Sequence, residues 1–486
     1  MKRIRLLKRF WNTPPEGRFL SLKEITAFGV YSTGCGLIYS AVTTYVVSVT
    51  YIPYFYNIKS IHAYLILIVG YLLNMFLQPI IGNLMERTNT KWGRYKPFIL
   101  LSLPIFSAFA LMSMWIPQYS MEKSRVIFAY ISCAPVITLS TFFNNMYQTM
   151  PNVITPNTQE RTDLMTPIGL LHGVAPSLMN IVAGPIRAAY IAKGMEYMGM
   201  RIIGIVSVGI SIVCVLCILK VKERVYSFGI EEEKMGIRKA LRMLKSNKPL
   251  WVLFAALLAG SLREFWRVFL IFMVQFRFAD NVQTALNISG IPLSIVSFGS
   301  TIAMLLLPIF SRKTSKNRII CYFSMIGGVC LLALGIVGFE RIPQGFISAT
   351  VITVVFFLAS VTPITLLIPV MLGEIADLQQ LTTGKRLEGY LQNLLFSIPL
   401  LVSQVLMLGA WVWQNAIGFE PKDYAQNEVL TETQQHIANK WFDAVCIISA
   451  VSTLLMVIVL WFYPLTKKKV ESLSAALREK AMNKQI

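Results

Sequence analysis

The chain has 486 residues, 55% of them hydrophobic and 14% charged, with a formal net charge of +21. A soluble globular domain holds nearer about 25% charged residues, so the composition excludes one. The basic charge does not point to nucleic acid either. Of the 45 Lys and Arg residues, 33 lie at the termini or in alternate gaps between apolar stretches, 10 in the other gaps and two inside a stretch. That segregation orients a membrane protein and meets anionic lipid headgroups.

A bilayer core of roughly 30 Å needs about 20 apolar residues per helix. In chain order the sequence predicts twelve membrane helices, over 24–50, 61–84, 96–116, 124–150, 164–185, 199–219, 247–275, 284–310, 317–337, 346–372, 386–411 and 441–464. Residues 1–23 form a basic N-terminal segment and 465–486 a basic tail, and the charge bias places both in the cytoplasm of a multi-pass protein of the cell (inner) membrane. The opening MKRIRLLKRFW lacks a long apolar region and a small-residue cleavage site, so it reads as a retained interfacial segment rather than a signal peptide. All seven cysteines fall in apolar stretches. Cys214 and Cys217 form a mid-helix CxxC with no second pair or His nearby, which favours packing over metal or redox chemistry.

The linker 220–246 divides the helices six and six, giving bundles over 24–219 and 247–464. Its stretch EEEKMGIRKALRMLK has acids first and bases last, the order a helix dipole favours, and predicts a short surface helix. The gaps after helices 2 and 8 (ERTNTKWGRYK and SRKTSKNR) are both short and basic. Those after helices 4 and 10 both carry Thr with acid and base together. Two parallel six-helix repeats of this kind describe an all-α major facilitator fold, with its binding site at the bilayer midplane between the halves. The 11–12 loop, 415–440, is long and polar without signs of a folded domain.

Three segments carry a closer likeness. Gln78-Pro79-Ile80-Ile81-Gly82 with the following Arg87-Thr88-Asn89-Thr90-Lys91-Trp92-Gly93-Arg94-Tyr95-Lys96-Pro97 resembles the helix 2–3 region of the glycoside–pentoside–hexuronide:cation symporters. Met150-Pro151-Asn152 with Glu160-Arg161 resembles that family's helix 4–5 junction. Glu374-Ile375-Ala376-Asp377 with Gly384-Lys385-Arg386-Leu387-Glu388-Gly389 resembles its 10–11 junction, and Asn247-Lys248-Pro249 is similar to its entry into helix 7. The resemblance implies a secondary carrier working by alternating access, with a carboxylate cage for a coupling cation. Here the cage departs from the pattern. Asn74 and Gln78 stand where helix 2 would hold acids, Phe143 where helix 4 would, and Tyr31 or Ser32 where helix 1 would. The helix 5 arginine has no counterpart, and Leu400 stands near the helix 11 lysine. Hard cations want several anionic oxygens, so the usual Na⁺ site is expected to be lost and the coupling partner left open between H⁺ and another ion.

Polar side chains at membrane depth are costly and face a cavity or a partner. Tyr71, Asn74 and Gln78 share one face of helix 2, and Asn144, Tyr147 and Gln148 one face of helix 4. These stripes suit sugar hydroxyls, or alternatively hydrogen bonding between helices. In helix 7, Arg263 and Arg267 lie four apart, Glu264 can pair with Arg267, and Trp266 offers a ring for a sugar to stack on. The surplus positive charge suits a carboxylate or sulfonate. The other reading is a structural ion pair with one arginine reaching outward. His172 reads as a packing histidine, while His62 and His436 sit near interfaces. Arg87, Arg94, Glu374, Asp377 and Arg386 are candidates for a cytoplasmic gate network that stabilises the outward-open state.

No P-loop, metal-ligand cluster or nucleophile–base set appears, so no metal, cofactor or enzymatic chemistry is expected. The expected partners are a sugar-like solute and the bilayer. The expected function is secondary transport of a sugar or glycoside, including anionic ones such as a hexuronide or sulfonated sugar. Alternatives are a lysolipid or amphiphile carrier of the same fold and a non-transporting solute sensor.

Overall fold

The computed structural model describes residues 11–14, 17–45, 48–88, 90–115, 121–155, 158–224, 245–277, 294–296, 298–299, 301–303, 310, 314–343, 346–383, 395–396, 398–424, 431–470 and 472–473. The expected surface helix in the linker and Arg386 lie outside them. The side chains of Arg87 and Gln148 also lie outside the description.

The N-terminal half consists of α1 (Leu22–Tyr45), α2 (Tyr51–Tyr56), α3 (Ser60–Arg87), α4 (Lys96–Met114), α5 (Glu122–Thr149), the single turn α6 (Pro151–Ile154), α7 (Thr158–Ile191) and α8 (Glu196–Leu216). The C-terminal half holds α9 (Lys248–Ala259), α10 (Phe265–Arg277), fragments of the eighth span, α11 (Lys316–Val337), α12 (Phe346–Ser360), α13 (Ile364–Thr383), α14 (Ile398–Ile417) and α15 (Glu432–Trp461). Among the described residues, eight helices are individually long and apolar enough to cross a membrane.

Several expected spans differ from what forms. Spans 7 and 10 are not continuous over 247–275 and 346–372: each breaks mid-membrane, at 260–264 and at 361–363. Pro363 supplies no amide proton for a helical bond across the second break. Span 5 runs to Ile191 rather than 185, and Pro185 is carried within it because neighbouring groups can satisfy the freed carbonyl in a membrane helix. Much of the 11–12 loop is also ordered. It contains a 3-10 turn, Pro421–Asp423, and α15 starts nine residues early at a Thr431–Gln434 capping box.

The face bearing the chain termini is tied together within each half by buried polar groups. Glu223 accepts hydrogen bonds from the Arg94, Tyr95 and Lys96 amides at the start of α4, at 2.7 Å, 3.2 Å and 3.1 Å. Three orphan amides of a helix N-terminus thus meet one carboxylate. Glu24 pairs with Arg224 at 2.7 Å, and Glu160 accepts from the Phe19 and Leu20 amides and the Thr155 hydroxyl. Gly93 makes the first cradle feasible, because its φ of +109° is unfavourable for L side chains. A Cβ there would also run into the Glu223 carboxylate. We expect Gly93→Ala to lower stability by about 1–3 kcal/mol, read as a drop in the thermal midpoint in detergent. The exposed Lys91→Ala should leave that midpoint unchanged; equal effects would mean that the cradle contributes nothing.

The opposite face is where the halves meet. Tyr64 donates to Gln414 Oε1 at 2.6 Å, and Gln414 donates to the Phe419 carbonyl at 3.0 Å and to Ser60 at 3.3 Å. Ser60 also donates to Glu420, and Thr50 to the Val268 carbonyl. One hydrophobic cluster runs through both halves here, including Phe55, Tyr64, Phe269, Phe419 and Trp441. Nearer the termini the C-terminal half has a core of its own around Leu250, Ile320, Met371 and Leu460. The molecule is closed at the face away from its termini.

Candidate functional site

The break in span 7 sets the centre of the site. α9 ends at Ala259, and residues 260–264 turn before α10 begins. Breaking a helix in a bilayer frees backbone groups that water cannot reach, and each must find a partner. Three serines supply them. Ser452 donates to the Ala259 carbonyl at 2.7 Å and accepts the Leu262 amide at 3.1 Å. Ser449 accepts the Trp266 amide at 3.0 Å, and Ser403 donates to the Ser261 carbonyl at 2.8 Å. The hydroxyls on α14 and α15 hold the turn in place.

That turn carries Arg263, Glu264 and Arg267. Glu264 reaches Arg263 at 3.4 Å and Arg267 at 3.8 Å, and its side chain is 45% exposed although it sits at mid-span. Both contacts are longer than the 2.7–2.9 Å of a strong charge-assisted bond. Across the interface between halves, Tyr39 on α1 lies within electrostatic reach of Glu264 and Arg267, and of Tyr71 on α3. Two guanidiniums and one carboxylate thus gather at the break, with Tyr39 of the other half within electrostatic reach of Glu264 and Arg267.

Other candidates fall elsewhere. Trp266 is 1% exposed and lies flat on Phe356 of α12 at 4.9 Å, so the face assigned to a sugar ring is filled by another aromatic. Asn74 is buried and donates to the Thr138 carbonyl of α5 at 3.1 Å, while Thr138 donates to the Gly70 carbonyl of α3. This pair joins spans 2 and 4, so for Asn74 the helix-to-helix reading holds and the cavity reading does not. Tyr147 stacks on His172 at 4.0 Å, and His172 donates to the Ser32 carbonyl at 3.1 Å. Gln78 and Asn144 are half-buried.

Of the positions that the resemblance assigns to a cation cage, Phe143, Tyr31 and Ser32 are packed or bonded within the bundle. Phe143 is fully buried edge-on to Phe106, Tyr31 is buried against Phe28, and the Ser32 hydroxyl is bonded to the Ile168 carbonyl. Among the described residues, no three His, Cys, Asp or Glu side chains gather to hold a metal.

Of the gate candidates, Glu374 pairs with Lys316 at the start of α11, and Arg94 contributes its amide to Glu223. Asp377 is half-buried on α13. The same face holds a lock between spans 7 and 10: Asn247 caps α9 and donates to Gln379 of α13 at 3.0 Å.

Arg187 was not among the residues expected to matter. It is 1% exposed, pairs with Glu196 at 2.9 Å, donates to Tyr51 at 3.4 Å, and has the rings of Tyr51 and Phe55 over its guanidinium. With span 5 ending at 185 it falls in a loop. The available signal was an Arg and a Glu nine residues apart around a Lys-Gly turn, which brings adjacent helix ends together.

A separate cavity of about 650 Å³ lies between α9, α14 and α15, lined by apolar groups such as Leu262, Leu406, Ile448 and Leu455, with Lys440 and Asp443 at one end. It suits an acyl chain better than a polyol, and it does not include the arginines.

The fold and the mid-span break define a secondary transporter of the major facilitator class. Solved structures agree: the D-xylose–proton symporter gives a TM-score of 0.61 at 13% identity, covering 92% of this chain and 99% of that one. A bacterial homologue of the human drug peptide transporters PepT1 and PepT2 gives 0.62 at 11% identity, covering 94% and 99%. The chain belongs to the MFS/sugar transport protein family, which it matches over residues 27–467, as a divergent member of the glycoside–pentoside–hexuronide:cation symporter type. It is 25% identical over 464 residues to the putative glycoside/cation symporter YagG of Escherichia coli K12, covering 94% of this chain and 95% of that one. The glucuronide carrier protein homolog of the same organism is 22% identical over 399 residues, covering 80% and 81%.

Proposed function

We propose that this protein carries an anionic glycoside, such as a hexuronide, through alternating access of its two six-helix halves. The observation behind this is the serine-braced break in span 7, where, among the described residues, two arginines share one acid. A planar guanidinium matches a carboxylate or sulfonate in two-point geometry. Tyr39, Tyr71, Gln78 and Asn144 are then the donors and acceptors for sugar hydroxyls. The glucuronide carrier homolog among the relatives supports such a cargo. Uptake into proteoliposomes, compared across neutral glycosides, uronides and sulfonated sugars, tests the reading; a preference for neutral sugars would overturn it.

Na⁺ does not drive this carrier in our reading, because the cage positions hold Phe143, Tyr31 and a backbone-bonded Asn74. Uptake should be the same with and without an imposed Na⁺ gradient, and strong stimulation by Na⁺ would show that other oxygens build a site.

The terminal face is cytoplasmic in this reading, following the bias of basic residues. On a cysteine-free background, an impermeant thiol reagent applied from outside should modify a Cys at Lys422 and spare one at Lys91; the reverse pattern would invert the topology. Arg94, Asp377 and Arg386 would then join the Lys316–Glu374 pair in closing that face when the other opens.

The apolar cavity beside α15 favours a second reading, an amphiphile carrier of the same fold. Competition of a lysolipid with uronide uptake would support it.

A further inference from the structure

We propose that the protein is an exchanger, in which an anionic cargo must be bound in both directions of travel and the empty carrier returns only slowly. The proposal rests on the anionic-cargo reading and concerns what happens to the site when the cargo leaves.

Charge at the break in span 7 carries it. Arg263 and Arg267 face one carboxylate, Glu264, at 3.4 Å and 3.8 Å. Among the described residues no second carboxylate bonds to either guanidinium. Across the interface, α1 contributes a phenol, Tyr39, within electrostatic reach of Glu264 and Arg267, and a phenol ordinarily carries no charge at neutral pH. Counted over the described residues, the empty site therefore keeps one positive charge more than it has carboxylates. A monoanionic cargo brings the local sum to zero.

That difference matters during the passage between open states. While one face of the carrier is open, water solvates the surplus guanidinium. In the occluded state, between the two openings, that water is excluded and the unpaired charge sits near the bilayer midplane, where isolated charges are strongly disfavoured. The loaded site crosses with its charges paired. The turn itself cannot relax the problem by refolding, because Ser403, Ser449 and Ser452 fix its backbone.

A carrier built for net symport normally escapes this restriction by loading or unloading a coupling cation. Here the positions of the family's carboxylate cage are packed with Phe143 and Tyr31, and Asn74 is engaged with Thr138. A bound cation would in any case add to the surplus. Anion for anion is the cycle this charge arrangement favours. One monoanion enters as one leaves, so the exchange moves no net charge.

The experiment uses purified protein in liposomes loaded with methyl β-D-glucuronide and, separately, with a sulfonated sugar. Efflux is followed into buffer with no solute and into buffer containing the same unlabelled anion. Exchange should exceed net efflux by at least about tenfold, from the cost of occluding a bare charge. Exchange should also be unaffected by a K⁺ diffusion potential. In Arg263→Gln the remaining Glu264–Arg267 pair is neutral, so at saturating solute the ratio of exchange to net efflux should fall towards one. Net efflux as fast as exchange in the wild type, with anions still preferred over methyl β-D-glucoside in binding, would overturn the exchanger alone. Binding that does not prefer either anion to the neutral glucoside would overturn the cargo reading as well. A ratio unchanged in Arg263→Gln would show that slow return has a cause other than this charge.

Discussion

Glutamine in place of Arg263 should weaken binding of an anionic glycoside by at least tenfold while changing its neutral isostere much less. Truncating one member of a desolvated charge pair costs on the order of 2–5 kcal/mol, and about 1.4 kcal/mol already amounts to a factor of ten. Arg263 is held loosely enough to be available: its bond to Glu264 is 3.4 Å long, and its other bond goes to the Gly260 carbonyl one turn back. A neutral sugar would instead use Tyr39, Tyr71 and the amides, none of which the substitution touches. Lysine at 263 should rescue only part of the loss, since it restores charge but not the two-point fork. Isothermal titration with a uronide and the matching glucoside separates the outcomes. Equal losses for both ligands would assign the arginine to the architecture of the break.

Hydropathy made the overall fold legible, because a bilayer imposes one strong rule on every span, and the distribution of Lys and Arg adds a second. Local interruptions were less visible. The break in span 7 depends on Ser403, Ser449 and Ser452, which lie more than a hundred residues away and satisfy its free backbone groups. Nothing in GSLRE announces that such partners exist. Span 5 shows the converse: Gly184-Pro185 reads as an end, yet the helix continues to Ile191.

The polar stripes divide on the same principle. Asn74, Tyr71 and Gln78 share a face in sequence, but a stripe over about two turns is wide enough to touch two neighbours. Asn74 turns to α5 and the Thr138 carbonyl, whereas Tyr71 lies toward Tyr39 and the interface between halves. Trp266 was placed by its neighbours Arg263 and Arg267, yet adjacent helical positions point about 100° apart. The arginines stay partly exposed beside Glu264 while Trp266 packs inward on Phe356. Periodicity identifies a face; only packing tells which part of it stays open.

Removing Arg187 should be the most destabilising single change at the closed face. Its guanidinium is 1% exposed, bonded to Glu196 at 2.9 Å and covered by Tyr51 and Phe55 at 5.2 Å and 5.5 Å. Breaking a buried pair by deleting one partner typically costs about 3–5 kcal/mol, because the other charge is left behind. Glu196 is partly exposed and keeps the Tyr54 hydroxyl at 3.0 Å, so Arg187→Met should fall near the lower end, about 3 kcal/mol. Glu196→Gln in the same chain should recover part of it by removing the stranded carboxylate. Lysine should recover less than arginine supplies, since it retains charge but loses the planar contact with the two rings. The effect should also reach function. Tyr51 and Phe55 belong to α2, which packs on the 3-10 turn Pro421–Asp423 of the other half, so freeing α2 loosens the closure between halves. Arg187→Met should therefore lower the thermal midpoint and raise labelling of a Cys placed at Lys59 beside that seam. A lower midpoint without more labelling would confine Arg187 to the stability of its own half. An unchanged midpoint would mean the pair contributes nothing to stability.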